Sequence, residues 1–153
     1  MSLYYELDPA KDGDKPLLPP ILTPIAVMKG LDVFSKAIAV ASNSEAGTVF
    51  YSEDLDYIEV AIVLCPEVSK IKCNQMHYIM MVAAGDTIGA LAPPEVAVTY
   101  TFPGFIYLNR GEAGLVKMEV GPSSDKDSIP DWMVLGIKLR LNDNIEVDET
   151  QIN

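Results

Sequence analysis

Arginine is almost missing from this chain: Arg110 and Arg140 are the only two among 153 residues. Arginine is the side chain best suited to bidentate capture of phosphate or carboxylate, so a multi-arginine phosphate clamp is excluded. Histidine is scarcer still, since His77 stands alone. No histidine pair, triad or facial metal site can be assembled around it, and its place in a predicted helix reads as ordinary. Cys65 and Cys73 are the only thiols. With no histidine pair beside them they match no zinc pattern, and they read as two buried, reduced cysteines. Basic charge is short as well: 11 Lys and Arg face 22 Asp and Glu, a net charge of −11. That balance repels phosphate backbones and excludes nucleic acid as a partner.

Long apolar runs are missing too. Lys29, Asp32, Lys36, Asp54 and Asp86 interrupt every candidate stretch before it reaches the roughly 18 residues that cross a bilayer, so no membrane partner is expected. The N-terminus has no positive region followed by an apolar core; it does not read as a secretory signal, and the cytoplasm is the default compartment. Gly111 to Gly114 is too short for a phosphate-binding loop, and no serine sits in a nucleophile elbow. Asp54, Asp56 and Glu59, like Asp125, Lys126 and Asp127, follow no calcium-loop pattern and read as solvated turns, so no metal site is expected.

What is present is an ordinary globular composition, 49% apolar and 22% charged, at a length that suits one domain. Residues 1–24 carry Pro9, Pro16, Pro19, Pro20 and Pro24 and read as an extended segment, with Leu17, Leu18, Ile21 and Leu22 packed on the domain. The domain itself is placed at 25–142, followed by an acidic tail, 143–153. Thr23 and Pro24 read as the N-cap and first position of a helix running through Met28, Leu31, Phe34, Ile38 and Ala41 to about Ser42. Thr48 to Tyr51 and Tyr57 to Leu64 are rich in β-branched and aromatic residues and read as a hairpin around Ser52 to Asp56. Ile71, Met76, Ile79, Met80, Val82, Ala83 and Ile88 keep helical period, predicting a second helix from Ser69 to Leu91 that Pro93 and Pro94 stop. Alternation predicts strands at Val96 to Phe102 and Met133 to Leu141, with short strands near Ile106 to Leu108 and Ala113 to Val120 between them. The fold class is α/β of the α+β type: about six strands in a mixed, largely antiparallel sheet with two long helices.

Thr101-Phe102-Pro103-Gly104-Phe105-Ile106-Tyr107-Leu108, then Glu112-Ala113-Gly114-Leu115, then Val134-Leu135-Gly136-Ile137, follow one another in an order and spacing that resemble the core of the biotin/lipoate protein ligases. Members of that family typically carry Lys-Trp-Pro-Asn-Asp, a Lys-Leu-Ala-Gly-Ile strand and a Gly-Ile-Asn strand. The Asp32 helix and the Glu45-Ala46-Gly47-Thr48 turn resemble the family's first helix and the strand after it, so the similarity spans roughly 25–142. This chain ends soon after its last predicted strand, where members of the family usually continue. The resemblance implies a mixed sheet on which biotin, lipoate or octanoate is activated or moved, by the ligases through an acyl-adenylate. Such a step brings a carboxylate to a triphosphate, which requires fixed cations.

The departures fall on those cations. Thr101 stands at the family's first lysine, Phe102 at its tryptophan, Gly104 and Phe105 at its Asn-Asp, and Gly111 at its second lysine. Only Pro103 is retained. Lys117 shares the parity of Gly111, but six residues at ~3.3 Å each place it about 20 Å away. Acidic residues occupy the stretch between Tyr51 and Ile58 where the family's glycine- and arginine-rich loop would lie, and Lys138 stands at its adenine-side asparagine. Each lost contact to a developing anion costs ~3 to 4 kcal/mol of barrier, so adenylation by the family's mechanism is expected to be crippled.

The expected function is a ligase-like domain without competent ATP chemistry. Its apolar acyl pocket is placed at Tyr100, Thr101, Phe102, Pro103, Gly104, Gly111, Ala113, Gly114 and Gly136, with the Pro103-Gly104 turn and the glycines on one side of the sheet. No cofactor is required; biotin, lipoate or ATP enters only by the resemblance. The expected partner is a small acyl ligand, and a homodimer is left open. The alternatives are an active ligase or acyltransferase using Lys117, Lys138 or Cys73 or completing its site with another chain, and a structural or protein-interaction domain.

Overall fold

A computed structural model describes residues 15–141. The elements run β1 (Thr23–Val27), α1 (Val33–Val40), β2 (Thr48–Ser52), β3 (Tyr57–Leu64), α2 (Lys70–Leu91), β4 (Val98–Thr101), β5 (Phe105–Leu108), β6 (Gly111–Val120) and β7 (Met133–Arg140), with a short 3-10 turn at Ala41–Asn43. The strands form one seven-stranded sheet in the order β1-β2-β3-β7-β6-β5-β4. Only β1 and β2 pair in parallel, and α1 is the crossover that parallel neighbours require. The mixed, largely antiparallel sheet with two helices is the architecture that the alternation and period predict.

The first helix is corrected. Thr23 and Pro24 open an edge strand rather than a helix, and α1 has only 8 residues. Proline is tolerated there because an edge strand can forgo one backbone N–H. The true start signal is Asp32, whose Oδ2 accepts the Ser35 N–H at 2.8 Å as an N-cap. In the N-terminal segment, residues 1–14 lie outside the described residues, and Leu17 and Ile21 are exposed rather than packed. The acidic tail 143–153 also lies outside the described residues.

The two helices cover opposite faces of the sheet. Val134 joins the cluster under α1 with Val33, Ala37, Phe50, Ala61 and Val63, whereas Ile137, three residues on, packs with Met81, Ala84, Ile106 and Val116 under α2. In α2 the buried residues are Cys73, Met81, Ala84 and Gly85. Ile71, Ile79 and Val82, which the helical period groups with the core, face outward instead. Gly85 is a packing site, since the Tyr100 hydroxyl occupies the space that a β-carbon there would need. β5 and β6 turn through Asn109 and Arg110, both in the left-handed region at φ 48° and 73°, as a two-residue hairpin of this hand demands.

Candidate functional site

β5 pairs with β6 only as far as Phe105 opposite Leu115. β6 runs on to Val120, so a notch opens beside Val116 to Glu119. The peptide before Pro103 is cis, and the β4–β5 turn closes one end of the notch. α2 closes another side, where His77 Nε2–H donates to the Pro103 carbonyl; the Val116 carbonyl and the His77 ring together leave no room for a side chain at Gly104. Phe34 of α1 reaches over the sheet to form the remaining wall. The cleft is open to solvent and about 590 Å³, with Phe34, Tyr78, Phe102, Phe105, Leu115 and Lys117 among its lining residues.

Two further hollows adjoin it. One of about 20 Å³ lies among Asp32, Phe34, Glu59, Lys117, Gly136 and Lys138. The other, about 260 Å³, is lined by Tyr57, Glu112, Ala113, Gly114, Lys117, Lys138 and Arg140. Leu115 and Lys117 line all three. The register explains the gathering: Lys117 pairs with Gly136 and Leu115 with Lys138, so these side chains and Arg140 share the α1 face of the sheet. Cross-strand register brings Lys117 into the same two hollows as Lys138.

The charges in this trough are interlocked. Glu59 is buried; its Oε1 accepts the Val33 N–H at 3.0 Å and its Oε2 lies 3.5 Å from Lys138 Nζ. The same ammonium stands 4.6 Å from the centre of the Tyr57 ring. Lys117 Nζ lies 5.7 Å from the centre of the Phe34 ring. Ser35 holds the Asp32 carboxyl below its ordinary value through hydrogen bonds, and the positive charge of Lys117 adds to this, against an opposing effect of partial burial.

Of the residues proposed from sequence, Phe102 and Pro103 line the largest hollow, Gly136 the smallest, and Ala113 and Gly114 the basic one. Tyr100, Thr101, Gly104 and Gly111 line none of the three. Gly114 and Gly136 also face opposite sides of the sheet, because Gly114 pairs with Leu139 and Gly136 with Lys117, so they do not share one face. Cys73 is buried, its thiol raised by desolvation, and it lines none of these hollows. Cys65 is exposed rather than buried, lying just past the end of β3. Where a glycine- and arginine-rich loop would sit, β2 turns into β3 through Glu53 to Asp56, closed by an Asp54 N–H to Ser52 Oγ bond and an Asp56 N–H to Asp54 Oδ1 bond, each 3.0 Å. Phe34 and Glu59 were not legible as site residues, since one fits a helix core pattern and the other a solvated turn.

Among the described residues no group of three or more His, Cys, Asp and Glu could hold a metal ion, and no helix is long and apolar enough to cross a membrane. A seven-stranded mixed, mostly antiparallel sheet with one helix on each face defines a biotin protein ligase-like domain. The family model for biotin/lipoate A/B protein ligases matches residues 18–152, and the chain belongs to that family. A crystal structure of a biotin protein ligase-like protein of unknown function from Silicibacter sp. TM1040 is similar at 34% identity and a TM-score of 0.77, over 90% of this chain and 60% of that one. The biotin acetyl coenzyme A carboxylase synthetase of Helicobacter pylori, solved with biotinylated ATP, shares the fold alone at 10% identity and a TM-score of 0.55, over 79% of this chain and 62% of that one. The chain thus spans less than two thirds of the length of either relative. A search of curated proteins finds no match.

Proposed function

We propose that the trough around Lys117 binds a small carboxylate-bearing acyl group of the biotin, lipoate or octanoate class, and that it does so without the family's ATP-dependent adenylation. The carrying observation is that Lys117 stands where the three hollows meet, the largest of them walled by Phe34, Phe102, Phe105 and Leu115. An apolar chain lying against those walls gains ~25 cal/mol for each Å² removed from water, while its carboxylate meets the Lys117 ammonium. Micromolar to millimolar affinity follows, about −8 to −4 kcal/mol.

Charge argues against a triphosphate in the same place. The hollows are lined by Lys117, Lys138 and Arg140 against Asp32, Glu59, Glu112 and Glu119. Lys138 is already engaged by Glu59. One monovalent head group can be met by Lys117; a multiply charged nucleotide finds no compensating field. The test is ATP-dependent pyrophosphate release with biotin, lipoate or octanoate, for which no turnover is expected. Turnover that disappears in Lys117→Ala or Lys138→Ala would establish an active ligase with a non-standard site instead.

A further inference from the structure

Helix α2 is apolar on both sides. Its inner residues pack on the sheet, yet Ile71, Tyr78, Ile79 and Val82 on the outer side are all at least half exposed. Exposed apolar side chains clustered on one helix, with polar Gln75 and Asp86 beside them, mark a contact surface. Ile71, Tyr78, Val82 and Gly89 fall on one line, spaced by seven, four and seven residues. At the first turn of α2 the Lys70 N–H bonds to Ser128 O and the Ile71 N–H to Lys126 O, and the adjoining Val68 and Ile129 are exposed as well. The stripe therefore continues beyond the helix.

We infer that this outer face of α2 is the contact between two copies of this chain, packed antiparallel about a two-fold axis that passes between the two helices at the level of Met80. The stripe is its own complement under that operation. Ile71 comes opposite Gly89 of the second copy, where nothing lies within 4 Å of the space a β-carbon would fill. Tyr78 comes opposite Val82 of the second copy, over a shallow, open depression lined by Tyr78, Ile79, Val82, Ala83 and Asp86. Each copy thus supplies one aromatic knob and one depression. The charges agree with the same register, because Asp86 falls within a helical turn of the second copy's Lys72, and both are exposed. Tyr78 also lines the largest hollow beside Lys117, so the contact borders the trough.

Sedimentation velocity of the full chain over a concentration series tests this. A dimer is expected, with Val82→Glu raising its dissociation constant about thirtyfold or more, the loss typical of a central contact residue. Val82 is exposed within the single chain, so the variant keeps the far-UV circular dichroism of the parent. Asp86→Lys weakens the dimer about fivefold, and Lys72→Glu combined with Asp86→Lys restores it. A chain that stays monomeric at ~100 µM, or a dimer unmoved by Val82→Glu, overturns the inference. Failure of the charge swap to restore association overturns the antiparallel register.

Discussion

The ring of Phe34 lies so close to Gly136 that a β-carbon added to the glycine would stand 2.5 Å from Phe34 Cδ2. One aromatic side chain thus seats α1 on β7, walls the largest and smallest hollows, and carries the Lys117 ammonium over its face. Gly136→Ala is expected to destabilise the domain by about 1–3 kcal/mol through overpacking. Pairing it with Phe34→Leu should recover part of the loss, a coupling that urea denaturation of the single and double variants measures. Unchanged stability in Gly136→Ala would show that Phe34 is not held against the glycine.

Glu59 is expected to matter more for stability than its partner Lys138. Removing the carboxylate leaves the buried Val33 N–H without its acceptor, which costs about 1–3 kcal/mol. The lysine side chain is 48% exposed, so losing the ion pair itself costs no more than about 1 kcal/mol. Chemical denaturation of Glu59→Ala and Lys138→Ala should rank them in that order; the reverse order contradicts the assigned role.

Asp32 gives a pH dependence of defined sign. Its carboxyl is lowered from an ordinary 3.8, so its contribution is fully present above that value and fades as pH falls through the lower folded value. Asp32→Asn keeps a capping side chain but removes the charge. The variant should lose stability relative to the parent at neutral pH, and the gap should narrow below about pH 4, near the ordinary carboxylate pKa. Thermal melts from pH 2.5 to 7 check this, and a gap constant with pH would contradict it.

The thiols should separate kinetically. Cys65 is exposed and Cys73 buried, its thiol pushed up by desolvation. One equivalent of a thiol reagent is expected to react with the folded protein, and the second only after denaturation. Two fast equivalents would contradict the burial of Cys73.

Much of the fold was legible because β3 and β7 keep their alternation over eight residues each, and α2 runs 22 residues without a breaker until Pro93 and Pro94. β1 was hidden because Thr23-Pro24 carries both a helix-cap signal and an edge-strand tolerance, and only pairing with β2 decides between them. The outward residues of α2 were hidden by its apolar surround, in which no single face stands out. At the site, the Phe102-Pro103 turn and Gly136 could be found from local motifs. The gathering of Lys117, Lys138 and Arg140 could not, because it depends on the register between β6 and β7. The same register parts Gly114 from Gly136, which strand order alone cannot reveal.

Calorimetric titration of the protein with octanoate, lipoate, biotin and ATP, repeated on Lys117→Met, tests the central claim most directly. Micromolar to millimolar binding of at least one of the acyl ligands is expected, weakened about tenfold by Lys117→Met, with no measurable nucleotide binding. Tight ATP binding, or no binding of any acyl ligand, would contradict it.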